Sequence, residues 1–275
     1  MKLALFDAGA GPRIGIVEGE EIAEAKFSGS MIDLIARWDE AKSTLGGGAR
    51  HKLSGVRLLA PIPRPGKIFA IGLNYVDHIA ESKVETPANQ VWFTKAATAI
   101  NGPHDPIEIA KAGPFVDYEV ELVAVIGKRG RNVARADAAT HVFGYCVGND
   151  VTERAWQHRT PQWSLGKSFD THAPIGPWIT TADEIGDPHT LGLRCFVNGE
   201  KRQDSNTQHL VFNVWDQIEH LSQAMTLEPG DLIFTGTPGG VGAAMDPRRF
   251  LKPGDVVRCE IDKLGAIEAA MAAAA

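Results

Sequence analysis

This chain of 275 residues has few cysteines, no long apolar run and no excess of positive charge. Its three cysteines, Cys146, Cys195 and Cys259, each lie in an apolar run, which favours buried structural thiols over disulfides, metal binding or catalysis. No apolar run approaches the roughly 20 residues that span a bilayer. The apolar stretch at the N-terminus is too short for a secretory signal. We therefore predict a cytoplasmic protein that does not associate with membranes.

The charge balance of the chain argues against nucleic acid as a partner. Lys and Arg number 28 against 34 Asp and Glu, so the formal net charge is −6. Binding to nucleic acid without sequence preference needs a cationic surface, and we predict no nucleic-acid partner. Hydrophobic residues at 44% and charged residues at 23% are ordinary for a globular protein. A chain of this length can bury a core without disulfides.

A proline-rich segment, residues 61–66, divides the chain. Its three prolines exclude the interior of a helix and the middle of a sheet. We predict a small N-terminal domain over residues 1–60 and a main domain over residues 61–275. The first part contains three short strands, LALFDAG, RIGIVEG and EIAEAKF, and then a helix that begins at Met31.

Strands and turns dominate the predicted main domain. The apolar runs PFVDYEVELVAVIG and ATHVFGYCVGND predict buried strands, and Asn198-Gly199 predicts a hairpin. Pro-Gly-Asp occurs twice, in LEPGDLIF and LKPGDVV, and in both places predicts a turn into a strand. Helical patterns cover residues 74–82, 152–157 and 211–225. The final AIEAAMAAAA is of low complexity and receives no function.

Carboxylates alternate along the first of these apolar strands. In one continuous strand Asp117, Glu119 and Glu121 would share a face, with successive residues about 6.5–7 Å apart. Such a row is either a solvated strand face or a site for a hard cation, which would relieve the repulsion. No Lys or Arg is interleaved with the carboxylates, and the strand continues with apolar residues on both faces. These two features favour the metal site.

Three further residues are candidates for the same site. Asp150 follows a buried strand and is either another metal ligand or the N-cap of segment 152–157, where Thr152 is the alternative cap. Lys167 lies among apolar and small residues, where it either extends its ammonium group to solvent or binds an anionic substrate. His172, five residues further along, is a weaker candidate for the pocket.

His78 and Glu81 are spaced i, i+3 on a predicted helix and so share a face. The carboxylate could orient an imidazole that acts as a general base, or the two could form a surface ion pair. A glycine-rich segment, GTPGGVG at residues 236–242, could present backbone N–H groups to an anion. It lacks the Gly-Lys-Ser/Thr of a phosphate-binding loop.

Taken together and in this order, the segments resemble the fumarylacetoacetate hydrolase family. The matching pieces extend over about residues 67 to 260 and are GLNYVDHIAE, DYEVELVAVIGK, GNDVTERAWQ, GKSFDTHAPIGP, VNGEKRQDSNT, LEPGDLIFTGTPGGVG and FLKPGDVV. The resemblance implies an α+β, mainly β fold. Its catalytic domain would be a mixed β-roll or pseudo-barrel, with a small N-terminal α+β domain, assembled as a homodimer.

The resemblance also implies roles for individual residues. Glu119, Glu121 and Asp150 match the carboxylates that hold Mg²⁺ or Mn²⁺ in the family, and oxygen ligands of this kind also accept Ca²⁺. His78 and Glu81 match a base and its partner on a lid that closes over the substrate. Lys167 is assigned to catalysis, by stabilising negative charge. The residues assigned to substrate binding are Tyr75, Gln157, Gly236 and Thr237, and Asp117 is placed outside the metal ligands.

These roles predict a metal-dependent hydrolase that cleaves a C–C bond in a 1,3-dicarbonyl compound, such as a 2,4-diketo acid or an acylpyruvate from aromatic catabolism. The same metal–enolate chemistry serves tautomerases of 2-hydroxymuconate-type compounds and oxaloacetate-type decarboxylases, and a non-catalytic binding protein is the third alternative. Leu73 stands where many acylpyruvate-cleaving members have Arg. Without that guanidinium a bidentate contact to a substrate carboxylate is lost, which favours a larger or less anionic substrate.

Overall fold

The computed structural model describes residues 1–274. The strands are β1 (Lys2–Asp7), β2 (Pro12–Glu18), β3 (Glu21–Glu24), β4 (Arg50–Lys52), β5 (Arg57–Leu59), β6 (Ile68–Gly72), β7 (Val91–Thr94), β8 (Ile100–Asn101), β9 (Ile107–Ile109), β10 (Val116–Asp117), β11 (Val120–Ile126), β12 (Val142–Asn149), β13 (Thr152–Glu153), β14 (Ala173–Thr181), β15 (Gly192–Val197), β16 (Glu200–Asn206), β17 (Leu232–Phe234), β18 (Val256–Ile261) and β19 (Gly265–Ala273). The helices are α1 (Met31–Ala36), α2 (Trp38–Ala41), α3 (Val76–Ser82), α4 (Arg154–Gln157), α5 (Ser164–Lys167), α6 (Ala182–Ile185) and α7 (Val214–Ala224).

The strands form one large mixed sheet and two smaller ones. The large sheet has the order β4-β3-β2-β1-β14-β12-β11-β17-β6-β7, with β5 beside β1 and β8 beside β14. A second sheet has the order β16-β15-β18-β19-β9, and β10 pairs with β13. Parallel pairs such as β17 with β6 occur among mostly antiparallel neighbours. The mainly β, mixed-sheet α+β fold that the resemblance implies is confirmed.

The N-terminal strands extend the large sheet. Strands β1, β2 and β3 form where the sequence predicts three short strands. Strand β1 pairs with β14, with Lys2 opposite Thr180 and Leu3 opposite Ile179. Backbone pairing therefore crosses the predicted boundary at residue 60, and the division into two domains stays a prediction.

Strand β11 lies between two hydrophobic cores, and all of its residues are buried. Leu122, Ala124 and Ile126 face one cluster, whereas Val123 and Val125 face the other. Because side chains alternate along a strand, Glu121 belongs to the face of Val123 and Val125. Two cores thus fix the strand that carries this carboxylate, from both sides.

The predicted row of three carboxylates is wrong in one respect. The strand is interrupted after Asp117, because β10 pairs with β13 whereas β11 pairs with β12. The carboxylate of Asp117 accepts hydrogen bonds from the backbone N–H groups of Gly242 and Ala243, at 2.8 and 2.9 Å. Asp117 is consequently separated from the cluster that Glu119 and Glu121 form.

Local predictions at turns and helix ends have mixed outcomes. The hairpin at Asn198-Gly199 is confirmed, with both residues at positive φ. The N-cap of α4 is Glu153, whose carboxylate accepts the N–H of Trp156 at 2.7 Å, so the caps predicted at Asp150 and Thr152 are wrong. Helix α7 confirms the third helical pattern, starting three residues later than predicted. The low-complexity C-terminus forms β19, between β18 and β9.

Two further predictions from the sequence concern the cysteines and membrane-spanning segments. The three cysteines are buried and free, as predicted. Within residues 1–274, no helix combines the length and apolarity needed to cross a membrane.

Candidate active site

Three carboxylates meet where β11 begins and β12 ends. One oxygen each from Glu119, Glu121 and Asp150 lies within 4.8 Å of the other two, and all three side chains are buried. Backbone hydrogen bonds fix this arrangement. The N–H of Asp150 donates to the carbonyl of Glu119 at 2.9 Å, and the N–H of Glu119 donates to Asn149 Oδ1 at 2.9 Å.

Two buried lysines pair with this carboxylate cluster. Lys167, the last residue of α5, donates from Nζ to Glu119 Oε2 and to Asp150 Oδ2, both at 2.6 Å. Lys95, directly after β7, donates to Asp150 Oδ1 at 2.6 Å. Both oxygens of Asp150 therefore face an ammonium group. Lys167 extends inward to carboxylates of the chain, so the predicted extension to solvent is wrong, and its contact with an anionic substrate stays a prediction.

Arg154 links Glu119 to Asp117. Its Nη2 lies 2.8 Å from Glu119 Oε1 and 2.8 Å from Asp117 Oδ2, and its Nε donates to the same Asp117 oxygen at 2.9 Å. The remaining Nη1 donates to Gln157 Oε1 at 3.0 Å. Each of the three nitrogens of the guanidinium group therefore contacts a neighbouring side chain.

The electrostatics of Glu119 and Glu121 differ sharply. Burial would raise the pKa of Glu119, but the Lys167 ammonium and the Arg154 guanidinium outweigh it and lower the pKa to about 2. Burial raises the pKa of Glu121 well above its usual range, and the nearby charges of Asp150 and Glu119 raise it further. Among residues 1–274 no cationic side chain pairs with Glu121, which accepts the N–H of Gly236 at 2.8 Å.

The balance of charges around the carboxylates indicates which kind of ligand the cluster could bind. Three cations, Lys95, Arg154 and Lys167, face four carboxylates, which leaves a formal charge of −1 at the buried site. The deficit lies at Glu121, beside the oxygens of Glu119 and Asp150. Carboxylate oxygens are the ligands that hard divalent cations prefer. The donor set therefore fits Mg²⁺ or Mn²⁺, and a divalent cation would make the site positive toward an anionic substrate.

The predicted His–Glu pair lies on α3 and faces the same cavity. His78 Nδ1 donates to Glu81 Oε1 at 2.8 Å, and both side chains are partly buried. The other carboxylate oxygen of Glu81 accepts the N–H of Gly240 at 2.7 Å. Glu81 therefore fixes the imidazole and also ties α3 to the glycine-rich loop. This arrangement differs from a surface ion pair, the alternative that the sequence left open.

The glycine-rich loop directs its N–H groups to anions, and those anions belong to the chain itself. Gly236 donates to Glu121, Gly240 to Glu81 and Gly242 to Asp117. A side chain at Gly240 would place its Cβ 2.0 Å from the carbonyl oxygen of Arg202, so the close approach requires glycine there. The loop holds three site carboxylates in place.

These groups surround a cavity of about 410 Å³. Of the residues predicted for catalysis, substrate and metal, those that line the cavity are His78, Glu81, Glu119, Glu121, Gln157, Lys167 and Thr237. Asp150 lies beneath this lining, fully buried. Tyr75 is also fully buried, and its hydroxyl has no hydrogen-bond partner among residues 1–274. Neither Tyr75 nor Gly236 lines the cavity. Gly236 contacts the site through its backbone N–H, which donates to Glu121.

Reasoning from the sequence assigned no role to two of the buried cations, Lys95 and Arg154. Lys95 follows an apolar strand and is flanked by small residues, the same signal that identified Lys167. Arg154 lies four residues after Asp150, inside a segment already quoted for the resemblance. His172, the weaker pocket candidate, is outside the lining: it is buried and donates from Nε2 to the carbonyl of Glu108 at 2.8 Å.

Mixed sheets with three clustered carboxylates, and an imidazole–carboxylate pair beside the same cavity, are the arrangement that the sequence resemblance implies. The family model described as fumarylacetoacetate (FAA) hydrolase C-terminal matches residues 67–272, and one described as Rv2993c-like, N-terminal matches residues 1–61. The chain belongs to the fumarylacetoacetate hydrolase family.

Named relatives differ in the reaction that their names give. The chain is 52% identical to oxaloacetate tautomerase fahd2, mitochondrial, from Xenopus laevis, over 97% of this chain and 89% of that protein. A fumarylacetoacetate hydrolase from Exiguobacterium antarcticum superposes with a TM-score of 0.91 at 37% identity, over 100% of both chains. Maleylpyruvate hydrolase from Sphingobium sp. SYK-6, in complex with manganese (II) ion and pyruvate, gives 0.85 at 36% identity, again over 100% of both.

Proposed function

We propose that this protein is a divalent-metal-dependent tautomerase that interconverts the keto and enol forms of a small 2-oxo acid, with oxaloacetate as the first substrate to test. The observation that carries the proposal is an imidazole–carboxylate pair that lines one cavity with Glu119 and Glu121, two of the three clustered carboxylates. The sequence similarity to the Xenopus oxaloacetate tautomerase also supports the proposal. Hydrolysis, the first prediction from the sequence, becomes the second candidate.

Keto–enol interconversion moves one proton between carbon 3 and the oxygen on carbon 2, and no carbon–carbon bond breaks. Glu119, Glu121 and Asp150 would hold the cation, which supplies Lewis acidity to a carbonyl oxygen and so acidifies the adjacent C–H. The hydrogen bond from Nδ1 to Glu81 leaves Nε2 of His78 as the acceptor for the carbon-3 proton. Glu81 stabilises the imidazolium ion that forms.

Lys167 and the substrate-facing residues complete the proposed assignment. Lys167 Nζ balances the charge of Glu119 and Asp150 and lies beside the developing enolate. Gln157 and Thr237 are proposed to contact the substrate from opposite parts of the chain. Mg²⁺ and Mn²⁺ are the proposed metals, with Ca²⁺ as a weaker alternative. Homodimer assembly and cytoplasmic location stay predictions.

The second candidate is hydrolysis of a C–C bond in a 2,4-diketo acid. It is favoured by the likeness to maleylpyruvate hydrolase and by the same His78–Glu81 pair, which could activate a water molecule instead of removing a carbon-bound proton. The two reactions share the enolate but differ in whether water is added. Decarboxylation of oxaloacetate would use the same groups and release CO₂.

Product mass and enol absorbance separate these reactions. Metal-free protein receives Mg²⁺ or Mn²⁺ and freshly dissolved enol oxaloacetate, and the ultraviolet absorbance of the enol is followed against metal alone. We expect faster loss of the enol, unchanged mass and inhibition by a chelator. Two fragments from a 2,4-diketo acid, with one water added in total and no catalysed tautomerisation, would assign hydrolysis instead. Release of CO₂ from oxaloacetate would assign decarboxylation.

A further inference from the structure

An aromatic wall lines the cavity beside the charged groups. We use this name for Phe93, at β7, and Trp163, the residue before α5, whose rings lie 5.7 Å apart between centroids at 55°. Lys167 Nζ lies 4.8 Å from the centroid of Phe93. The wall therefore begins immediately next to the site at which proton transfer is proposed.

The backbone of β6 makes room for this wall. A Cβ on Gly72 would lie 2.2 Å from Cζ3 of Trp163, so the indole occupies space that any other residue would fill. The N–H of Lys167 donates to the carbonyl of Trp163 at 3.2 Å, across the single turn of α5. The indole and the catalytic ammonium group are consequently placed by the same short helix.

Apolar side chains continue the wall toward solvent. Leu73 and Val84 also line the cavity, and Val84 is 46% exposed. Leu73 has φ of 54° and occupies the position directly after Gly72. An apolar group that extends from the charged site would remain in contact with protein up to the cavity mouth.

Among residues 1–274, the cavity lining offers no unpaired Lys or Arg to a second carboxylate. The lining residues that are always cationic are Arg154 and Lys167, and both are already bound to carboxylates of the chain. Burial and nearby cations lower the pKa of His158, which also lines the cavity. The volume of about 410 Å³ lies in the lower part of the range of about 300–1,000 Å³ that is typical of small-molecule pockets. A substrate with one carboxylate and an apolar substituent would therefore fit this cavity, in addition to the oxaloacetate proposed above.

We propose that the aromatic wall is a subsite for an aryl group on carbon 3 of a 2-oxo acid, so that the protein tautomerises arylpyruvates as well as oxaloacetate. This inference rests on the proposed tautomerase function and extends its substrate class. The C–H bond at carbon 3 breaks, its electron pair forms the double bond to carbon 2, and His78 takes the proton. The carbonyl oxygen gains a proton in return, so that the substrate keeps its composition and no oxidant or water is consumed.

The test compares phenylpyruvate with oxaloacetate on the Mg²⁺-loaded protein, with the rates for metal alone subtracted. We expect the wild-type chain to tautomerise both. Trp163→Ala should lower kcat/KM for phenylpyruvate by about 10- to 200-fold, the range for removing apolar contacts, and that for oxaloacetate by no more than about twofold. Trp38→Ala, at a tryptophan of α2 outside the lining, is the matched control and should leave both values unchanged.

The outcomes separate this proposal from the function on which it rests. Turnover of oxaloacetate alone would overturn the aryl subsite and leave the tautomerase function standing. Turnover of phenylpyruvate alone would support the subsite and remove oxaloacetate as substrate, and turnover of neither would overturn both. Equal losses on the two substrates in Trp163→Ala would also contradict the subsite.

A second variant covers the case in which Trp163→Ala does not fold. Leu73→Arg adds a cation three residues before α3, next to the wall, and should raise the ratio of oxaloacetate to phenylpyruvate kcat/KM by at least about tenfold. A ratio that does not rise would contradict the subsite.

Discussion

The two sides of the cavity are built in opposite ways. One side, which we call the floor, consists of Glu119, Glu121 and Asp150 with their cationic partners, at the ends of two neighbouring strands of the large sheet. The other side is the lid, helix α3, which carries His78 and Glu81. The floor is buried between two hydrophobic cores, whereas the lid is seven residues long and partly exposed.

The difference matches the proposed division between metal binding and proton transfer. On the floor, Glu119 and Asp150 have charged partners on both oxygens, so their geometry exists before a cation or substrate arrives. The lid is tied down by single hydrogen bonds, from Gly240 to Glu81 and from Ser205 to Asp77. A preformed floor suits a tightly held ion, and a lightly tied lid suits a base that must admit and release substrate.

The largest expected effect comes from breaking the floor. Glu119→Gln keeps the shape of the side chain but removes one anionic ligand, so Mn²⁺ affinity should fall by more than about 100-fold, beyond the loss typical of residues outside the ligand set. Calorimetric titration measures this directly. Glu20→Gln, on an exposed turn, is the control of equal chemistry. Unchanged Mn²⁺ affinity in Glu119→Gln would remove Glu119 from the ligand set.

Breaking the lid should affect turnover and spare the metal. His78→Ala should lower kcat by about 10²–10⁴, the usual contribution of a general base. Its Mn²⁺ affinity should match the wild type, because the lid supplies no cluster carboxylate. The comparison uses initial rates of enol loss and calorimetry on the same preparation. Full turnover in this variant would place the base elsewhere.

A pH experiment tests the burial of His172, which lies behind the floor and outside the cavity lining. His172 is buried near Lys95, and burial lowers its pKa to about 4 from an ordinary 6.5. Between these values the unfolded chain binds a proton that the folded chain does not, so stability falls as the pH drops. The loss should reach about 3 kcal/mol below pH 4. Denaturant unfolding at a series of pH values should show a shallower decline for His172→Gln, and parallel curves would contradict this assignment.

The smallest expected effect is at the attachment of the lid. Ser205→Ala removes the hydroxyl that donates to Asp77 Oδ2 at 2.8 Å, a partly buried bond worth about 1 kcal/mol. We expect KM to rise by about two- to fivefold with little change in kcat, because the floor and the His78–Glu81 pair stay intact. Steady-state kinetics would show this, and a larger fall in kcat than rise in KM would mean that the bond orients the base.

Several features of the site and of the fold could be predicted from the sequence because they depend on neighbouring residues. The His78–Glu81 pair depends on i, i+3 spacing within one helix, and the hairpin depends on Asn198-Gly199. Both are short-range features that pattern alone specifies. The site carboxylates of β11 and β12 were recognisable because charge is rare at the end of an apolar strand. The resemblance then supplied the fold, which no periodicity argument could.

Long-range pairing accounts for the features that sequence reasoning missed. The interruption after Asp117 arises because residues 35 positions further along, in β13, pair with β10. The roles of Lys95 and Arg154 depend on partners that are distant in the sequence, Asp150 and Asp117. Strand β19, rich in alanine, has weak strand propensity and is held by its neighbours β18 and β9.

Exchange of the carbon-3 protons of oxaloacetate in D₂O tests the central claim most directly, that the lid base moves a carbon-bound proton over a metal-binding floor. Proton NMR follows these signals with Mg²⁺ and wild-type protein, with His78→Ala, and without protein. We predict that wild type accelerates their loss, that His78→Ala does not, and that no carbon fragments appear. Exchange at the protein-free rate with wild type, in a preparation that cleaves a 2,4-diketo acid into two products, would contradict the account.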